Sequence, residues 1–182
     1  MNDLEIARRI AAGDAGAAEG LVRDHYPSVF RLMRHLTGHR EDAEDLTQQA
    51  FLVARAKIDS FRGSSGLKTW IHRIAFNEYA QWKRKRKQTA PLRPDQPTDD
   101  PRYQSFVVGE ALLSALASLP DKHREAFILH EVEELKVEEV ARILRVPAGT
   151  VKARLFYARR RLRAFLEDGA EVTTNESKQA II

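Results

Sequence analysis

Residues 88–105, QTAPLRPDQPTDDPRYQS, hold four of the chain's seven prolines and show no apolar periodicity. Proline lacks a backbone N–H and breaks a helix interior, and a stretch this polar has too little apolar surface to bury a core. The segment predicts a flexible Pro-rich linker, so whatever folds must fold on either side of it. Residues 1–87 and 106–166 are each small but within the range that folds alone. The end of the chain, residues 167–182, EDGAEVTTNESKQAII, reads as a polar, flexible tail.

Elsewhere the apolar spacing is helical: Leu46, Ala50 and Val53, with Phe51, Ala54 and Ile58, recur at steps of three and four. Few segments alternate as strands do. The expected fold class is all-α, two small helical domains on either side of the linker. Hydrophobic residues at 43% and charged residues at 31% fit a soluble chain with modest cores rather than a disordered one. The sequence holds no cysteine, which excludes a disulfide framework, a thiolate metal site and a cysteine nucleophile. Its start, MNDLEIARRIAAGD, carries charges where a signal peptide needs an unbroken apolar core, and no apolar run approaches the roughly 18 residues of a membrane span. A cytoplasmic location is expected.

The net charge of +4 matters less than where the charges sit. Lys83 to Lys87 reads KRKRK. Between Val140 and Leu166 stand eight basic residues, Arg142, Arg145, Lys152, Arg154, Arg159, Arg160, Arg161 and Arg163, and no acidic one. Glu41, Asp42, Glu44 and Asp45 form an opposite, acidic knot. Segregation of this kind points to a polyanion partner for the basic parts.

The C-terminal block spells a helix-turn-helix. Pro120 opens a helix, Val137–Leu144 forms a short one, and RVP breaks it. Thr150, read as an N-cap, then starts a long helix whose Val151, Leu155, Ala158 and Leu162 make an inward stripe. Ala141 is small where the second helix must cross closely, and Val151 supplies the apolar anchor ten residues on. Arg145 occupies the turn where Gly or Asn is more usual. A recognition helix meets base edges in the major groove with its first turns and phosphates with its flanks. Thr150, Lys152, Ala153, Arg154, Phe156 and Tyr157 are early enough for bases, whereas Arg159, Arg160 and Arg163 suit phosphates.

The N-terminal block pairs a docking face with a basic aromatic helix. In REDAEDLTQQAFLVARAKIDSF the side away from the core presents Asp42, Asp45, Gln48, Gln49 and Leu52. Further on, a Gly/Ser loop leads into a helix carrying Trp70, Phe76, Tyr79 and Trp82 among Lys68, Arg73, Lys83, Arg84 and Arg86. Aromatic rings among cations are what unpaired bases require, although Trp70, Ile71 and Ile74 also suit a core. Two competing readings are weaker. A one-component helix-turn-helix regulator leaves the Asp/Gln face unexplained. A metal-dependent enzyme rests on His35 and His39 beside Glu41 and Asp42, and on His130 with Glu134; Gly38 interrupts the first pair, and no nucleophile or phosphate loop accompanies either.

Taken together, DAEDLTQQAF, GLKTWIHRIAFNEYAQWKRKRK and LPDKHREAFILHEVEELKVEEVARILRVPAGTVKARLFYARRRLR resemble, in order and spacing, the bacterial sigma-70 family sigma factors of the extracytoplasmic-function (ECF) type. The resemblance implies a subunit without catalytic residues, metal or cofactor that gives RNA polymerase its promoter choice. It implies that Asp42, Asp45, Leu46, Gln48, Gln49 and Leu52 dock on the basic coiled coil of the polymerase clamp. Gln49 stands where an acidic residue is common. It further implies that Lys68, Thr69, Trp70, Arg73, Asn77, Lys83 and Arg84 hold the opened minus-ten element. Thr150, Lys152, Ala153, Arg154, Phe156, Tyr157, Arg159 and Arg160 are implied to read the minus-thirty-five element. Ala153 and Tyr157 replace a frequent Ser and a frequent basic residue. The implied partners are core RNA polymerase, through clamp and flap, promoter DNA and an anti-sigma factor.

On this reading Arg154→Ala is expected to lose about 1–3 kcal/mol of discrimination at one minus-thirty-five position. Arg163→Ala should instead weaken all sites evenly and lower the salt slope by about 1. Competition binding against a randomised element measures both, and equal losses on every promoter for both substitutions would overturn the division.

Overall fold

A computed structural model describes residues 2–89 and 110–179. The described residues form helices α1 (Asp3–Ala11), α2 (Ala15–Thr37) and α3 (Arg40–Ala56), a 3₁₀ turn (Ile58–Ser60) and α4 (Leu67–Thr89). They continue with α5 (Glu110–Ala117), α6 (Asp121–Phe127), a π-helical turn (Ile128–Val132), α7 (Val137–Leu144) and α8 (Ala148–Gln179). None of them lies in a strand, as the helical spacing predicts. The chain divides into two compact units, Met1–Pro101 and Arg102–Ile182. Of the expected linker, Gln88 and Thr89 end α4, and the rest lies outside the described residues.

In the first unit α2, α3 and α4 pack around Val29, Leu32, Met33, Ala43, Ala50, Ala54, Ile71 and Ala75, all fully buried. The alanines of α3 carry too little bulk to hold its neighbours apart, so α2 and α4 both approach it closely. Helices α1 and α2 each open on a side-chain cap. The Asn2 side chain accepts from the Glu5 N–H at 2.8 Å. Asp14 accepts from the Ala17 N–H at 2.9 Å. That amide, with the Arg9 guanidinium beside it, holds the Asp14 carboxyl below its usual range. Gly38, at φ +78, ends α2 in the left-handed conformation that glycine adopts without penalty.

The start of α4 is closed from a distance. Asp3 Oδ2 accepts from the Leu67 N–H at 2.7 Å, across 64 residues of sequence. A Cβ on Gly66 would stand 3.3 Å from that same oxygen, so the carboxylate sits hard against the loop. The first turn of α1 thereby fixes the first turn of α4.

In the second unit Leu116, Leu119, Ala126, Ile128, Leu129, Val140, Ile143, Val151, Leu155 and Ala158 form the core. At the head of α7 the Lys136 N–H donates to Glu139 at 3.0 Å, and Arg145 ends the helix at φ 55, ψ 47. The turn that follows corrects one expectation. The Pro147 carbonyl accepts from the N–H groups of Thr150 and Val151 at 2.9 and 3.2 Å, so α8 begins at Ala148. Thr150 therefore stands inside the first turn rather than capping it, because the backbone of Pro147 already supplies the acceptor. At its other end α8 continues through Gln179, past Glu167, where the sequence predicts a flexible tail.

Asp3→Ala is expected to destabilise the fold by about 1 kcal/mol, the typical contribution of an N-cap. Urea unfolding checks the magnitude, and amide exchange accelerating first at Leu67 and Lys68 checks the location.

Candidate nucleic-acid and partner interfaces

Helix α3 turns one face outward. Asp45, Gln48 and Gln49 are exposed, and Leu52, at 64% exposure, is an apolar side chain left in water among them. Spacings of three, four and seven place these four on one stripe. Leu46 does not join it. It is buried, on the inward side shared with Ala43 and Ala50, whereas the resemblance counts it among the docking residues. Asp42, at the head of the stripe, is half-buried, and its Oδ2 lies 3.0 Å from Nη1 of Arg86 on α4.

Helix α4 sorts its predicted residues by depth. Thr69 and Trp70 are buried, and the Trp70 ring meets Phe61 edge-on at 5.5 Å. Trp70 thus packs on the loop before α4. Arg73 is exposed and Lys68 and Asn77 are half-buried, with Thr69, Arg73 and Asn77 following one another at steps of four. Lower down, Tyr79 and Trp82 stack at 5.9 Å. Lys83 Nζ lies 5.5 Å from the centre of the Tyr79 ring, and the Arg86 guanidinium 5.0 Å from that of Trp82. Arg84 is exposed. The bridge from Arg86 to Asp42 spans 44 positions, and no local spacing in the sequence announces it.

In the second unit the predicted stripe is buried: Val151 0%, Leu155 2%, Ala158 1% and Leu162 8% exposed. The opposite face presents Lys152, Ala153, Phe156, Tyr157, Arg160 and Arg163, with Arg154 and Thr150 half-buried. Phe156 and Tyr157, 62% and 56% exposed, meet edge-on at 5.6 Å. Tyr157 also meets His123 of α6 at 6.0 Å, over an open cleft of about 500 Å³ that Arg160 and Arg161 rim. Arg159 differs from the other arginines of this face. Its Nε donates to Glu131 at 2.9 Å, so a phosphate must compete for it.

The histidines weighed as ligands stand on separate elements. His35 is buried in α2, His39 precedes α3, and Gly38 turns the chain between them. His130 Nδ1 donates to the Leu135 carbonyl at 2.8 Å. Among the described residues no three His, Asp or Glu side chains form a group that could hold a metal ion.

Residues 21–89 match the family model for sigma-70 region 2, and residues 109–162 that for sigma-70 region 4. The chain is 35% identical over 167 residues to the ECF RNA polymerase sigma factor SigM of Mycobacterium tuberculosis, covering 91% of this chain and 85% of SigM. The chain belongs to the ECF sigma factors. Another relative, the ECF RNA polymerase sigma factor SigW of Bacillus subtilis, is 30% identical over 177 residues, covering 88% of this chain and 95% of SigW. Among solved structures, the sigma factor RpoE of Bartonella quintana, crystallised with the anti-sigma factor NepR, superposes with a TM-score of 0.73 at 29% identity. That match covers 82% of this chain and 96% of RpoE. CnrH, solved with the cytosolic domain of CnrY, shares the fold at a TM-score of 0.72 and 22% identity, over 91% of this chain and 97% of CnrH. No described helix of this sigma factor is long and apolar enough to cross a membrane.

His72 of α4 and His25 of α2 act on one another electrostatically. His72 is fully buried, its Nδ1 donating to the Lys68 carbonyl at 2.8 Å. His25 of α2 is half-buried, and its pKa lies below the ordinary 6.5: burial is the main cause, His72 and Lys68 act in the same direction, and Asp24 and Asp3 oppose them. A base whose folded pKa is depressed binds fewer protons in the folded state than in the unfolded one. Its contribution to stability is therefore complete above pH 6.5 and is lost as pH falls from there through the folded value. His25→Gln is expected to flatten the pH dependence of the melting temperature below pH 6.5, which calorimetry across that range measures.

Proposed function

We propose that this ECF sigma factor docks on the clamp coiled coil of core RNA polymerase through Asp42, Asp45, Gln48, Gln49 and Leu52 of α3, with Leu46 bracing the stripe from beneath. On α4, Lys68, Arg73 and Asn77 hold the opened minus-ten element above the buried Thr69 and Trp70, and Lys83 and Arg84 neutralise its backbone. Thr150, Lys152, Ala153, Arg154, Phe156 and Tyr157 read the minus-thirty-five element in the major groove while Arg159 and Arg160 meet phosphates. In this division residues 1–87 dock and melt, 106–166 bind the minus-thirty-five duplex against the polymerase flap, 88–105 are the linker between them and 167–182 the flexible tail. The protein performs no chemistry; extruding a base costs a few kcal/mol, which base capture and phosphate neutralisation offset.

One observation carries the reading. A single chain bears an acid-and-glutamine stripe with an exposed leucine and, separately, a recognition helix whose outward face is aromatic and cationic. A free-standing regulator needs the second and has no use for the first. RpoE, solved with NepR, supports an anti-sigma partner here, and a cytoplasmic location goes with a polymerase partner.

Transcription in vitro with bacterial core polymerase, a library of promoter fragments and sequenced start sites tests this. Protein-dependent starts downstream of two spaced elements are expected. Absence of initiation, together with tight binding of the protein alone to duplex DNA, would transfer the assignment to a one-component regulator.

A further inference from the structure

Asp42 has two claimants. It heads the outward stripe of α3, where a basic partner would meet it, and it already bridges to Arg86 of α4 at 3.0 Å. Arg86 in turn lies 5.0 Å from the centre of the Trp82 ring, which stacks on Tyr79. Tyr79, Trp82, Lys83 and Arg86 follow at steps of three and four, so rings and cations form one continuous edge of α4. The bridge holds the guanidinium over the indole face that an unpaired base would stack on.

We infer that the Asp42–Arg86 bridge couples the two interfaces of the first unit. A basic partner on α3 draws Asp42 away, and Arg86 with the face of Trp82 passes to a separated DNA strand. The inference rests on the polymerase-docking reading above. Three observations make the exchange easy. Both side chains are partly exposed, at 32% for Asp42 and 37% for Arg86, so competitors reach them. Asp42 lies in the first turn of α3, where the helix dipole favours a carboxylate whichever cation it faces. Exposed pairs of this kind shift an equilibrium by about two- to five-fold, enough to bias a site without locking it. Because coupling is reciprocal, strand capture must tighten partner docking by the same factor.

The test is a double-variant cycle on the full chain, read by fluorescence anisotropy of a short labelled single-stranded oligodeoxynucleotide. For the free protein, Asp42→Asn is expected to tighten binding two- to five-fold and to steepen the salt dependence by about 0.7, one further phosphate contact. The gain should vanish in the Asp42→Asn, Arg86→Ala double variant. In the complex with core polymerase, Arg86→Ala should weaken strand binding two- to five-fold while changing the free protein little. A gain that persists without Arg86 would reduce Asp42 to a general charge effect and overturn the coupling. An equal effect of Arg86→Ala with and without polymerase would overturn it too. The free-protein arm contains no polymerase, so its failure leaves the sigma-factor reading standing. Failure of transcription with the free-protein cycle intact would overturn the polymerase as the partner instead.

Discussion

Burial of Leu67, Ile71, Ala75 and Tyr79 along the inner side of α4 decides whether the first unit can present a nucleic-acid surface at all. The same helix ends in five consecutive cations, Lys83 to Lys87, which repel one another. Like charges a turn apart cost a few tenths of a kcal/mol each, whereas burying a leucine or isoleucine side chain contributes about 1.5–3 kcal/mol. The apolar side wins by a wide margin, and Arg84 and Lys85 are held outward as a consequence of what is held inward. Asp3 on the Leu67 amide and Trp70 on Phe61 then set where the helix and its preceding loop begin.

The second unit solves the same problem with a turn. Val151, Leu155, Ala158 and Leu162 are buried only if α8 crosses α7 at the right angle, and Arg145 in the left-handed region provides the bend. That conformation costs a side-chain-bearing residue about 1–2 kcal/mol. A buried stripe of four residues easily exceeds this cost. The reward is an outward face where Phe156 and Tyr157 stay in water despite their size, the kind of apolar exposure that marks a contact surface.

Much of this is legible in the sequence because it is periodic. The steps of three and four that bury Val151, Leu155 and Ala158 are visible without coordinates, and so are the segregated charges. Depth is harder to read where two faces meet. Leu46 and Leu52 differ by six positions on one helix and by burial at opposite extremes, yet both look like apolar members of an acidic segment. Trp70 reads equally as a stacking platform or as core, and its burial against Phe61 is not visible in the sequence. The Thr150 hydroxyl looks like a cap until the Pro147 carbonyl is seen in that role. The Asp3–Leu67 and Asp42–Arg86 contacts join residues far apart in sequence, and helical periodicity says nothing about which polar ends meet once helices pack.

The two helices proposed to face DNA share an arrangement that periodicity does not reveal: each has a cation engaged by an acid of its own unit, Arg86 by Asp42 and Arg159 by Glu131. Affinity for arbitrary DNA comes from phosphate neutralisation, with every cation adding to it whatever the sequence. Cations already paired contribute less to that sequence-independent affinity. The base contacts proposed for Lys152, Arg154 and Phe156 are untouched by such pairing, so with them the ratio of specific to non-specific binding rises while total affinity falls. For a protein that selects a few promoters within a whole genome, that ratio is the quantity that matters. A sparing use of charge therefore serves it better than a fully exposed basic surface.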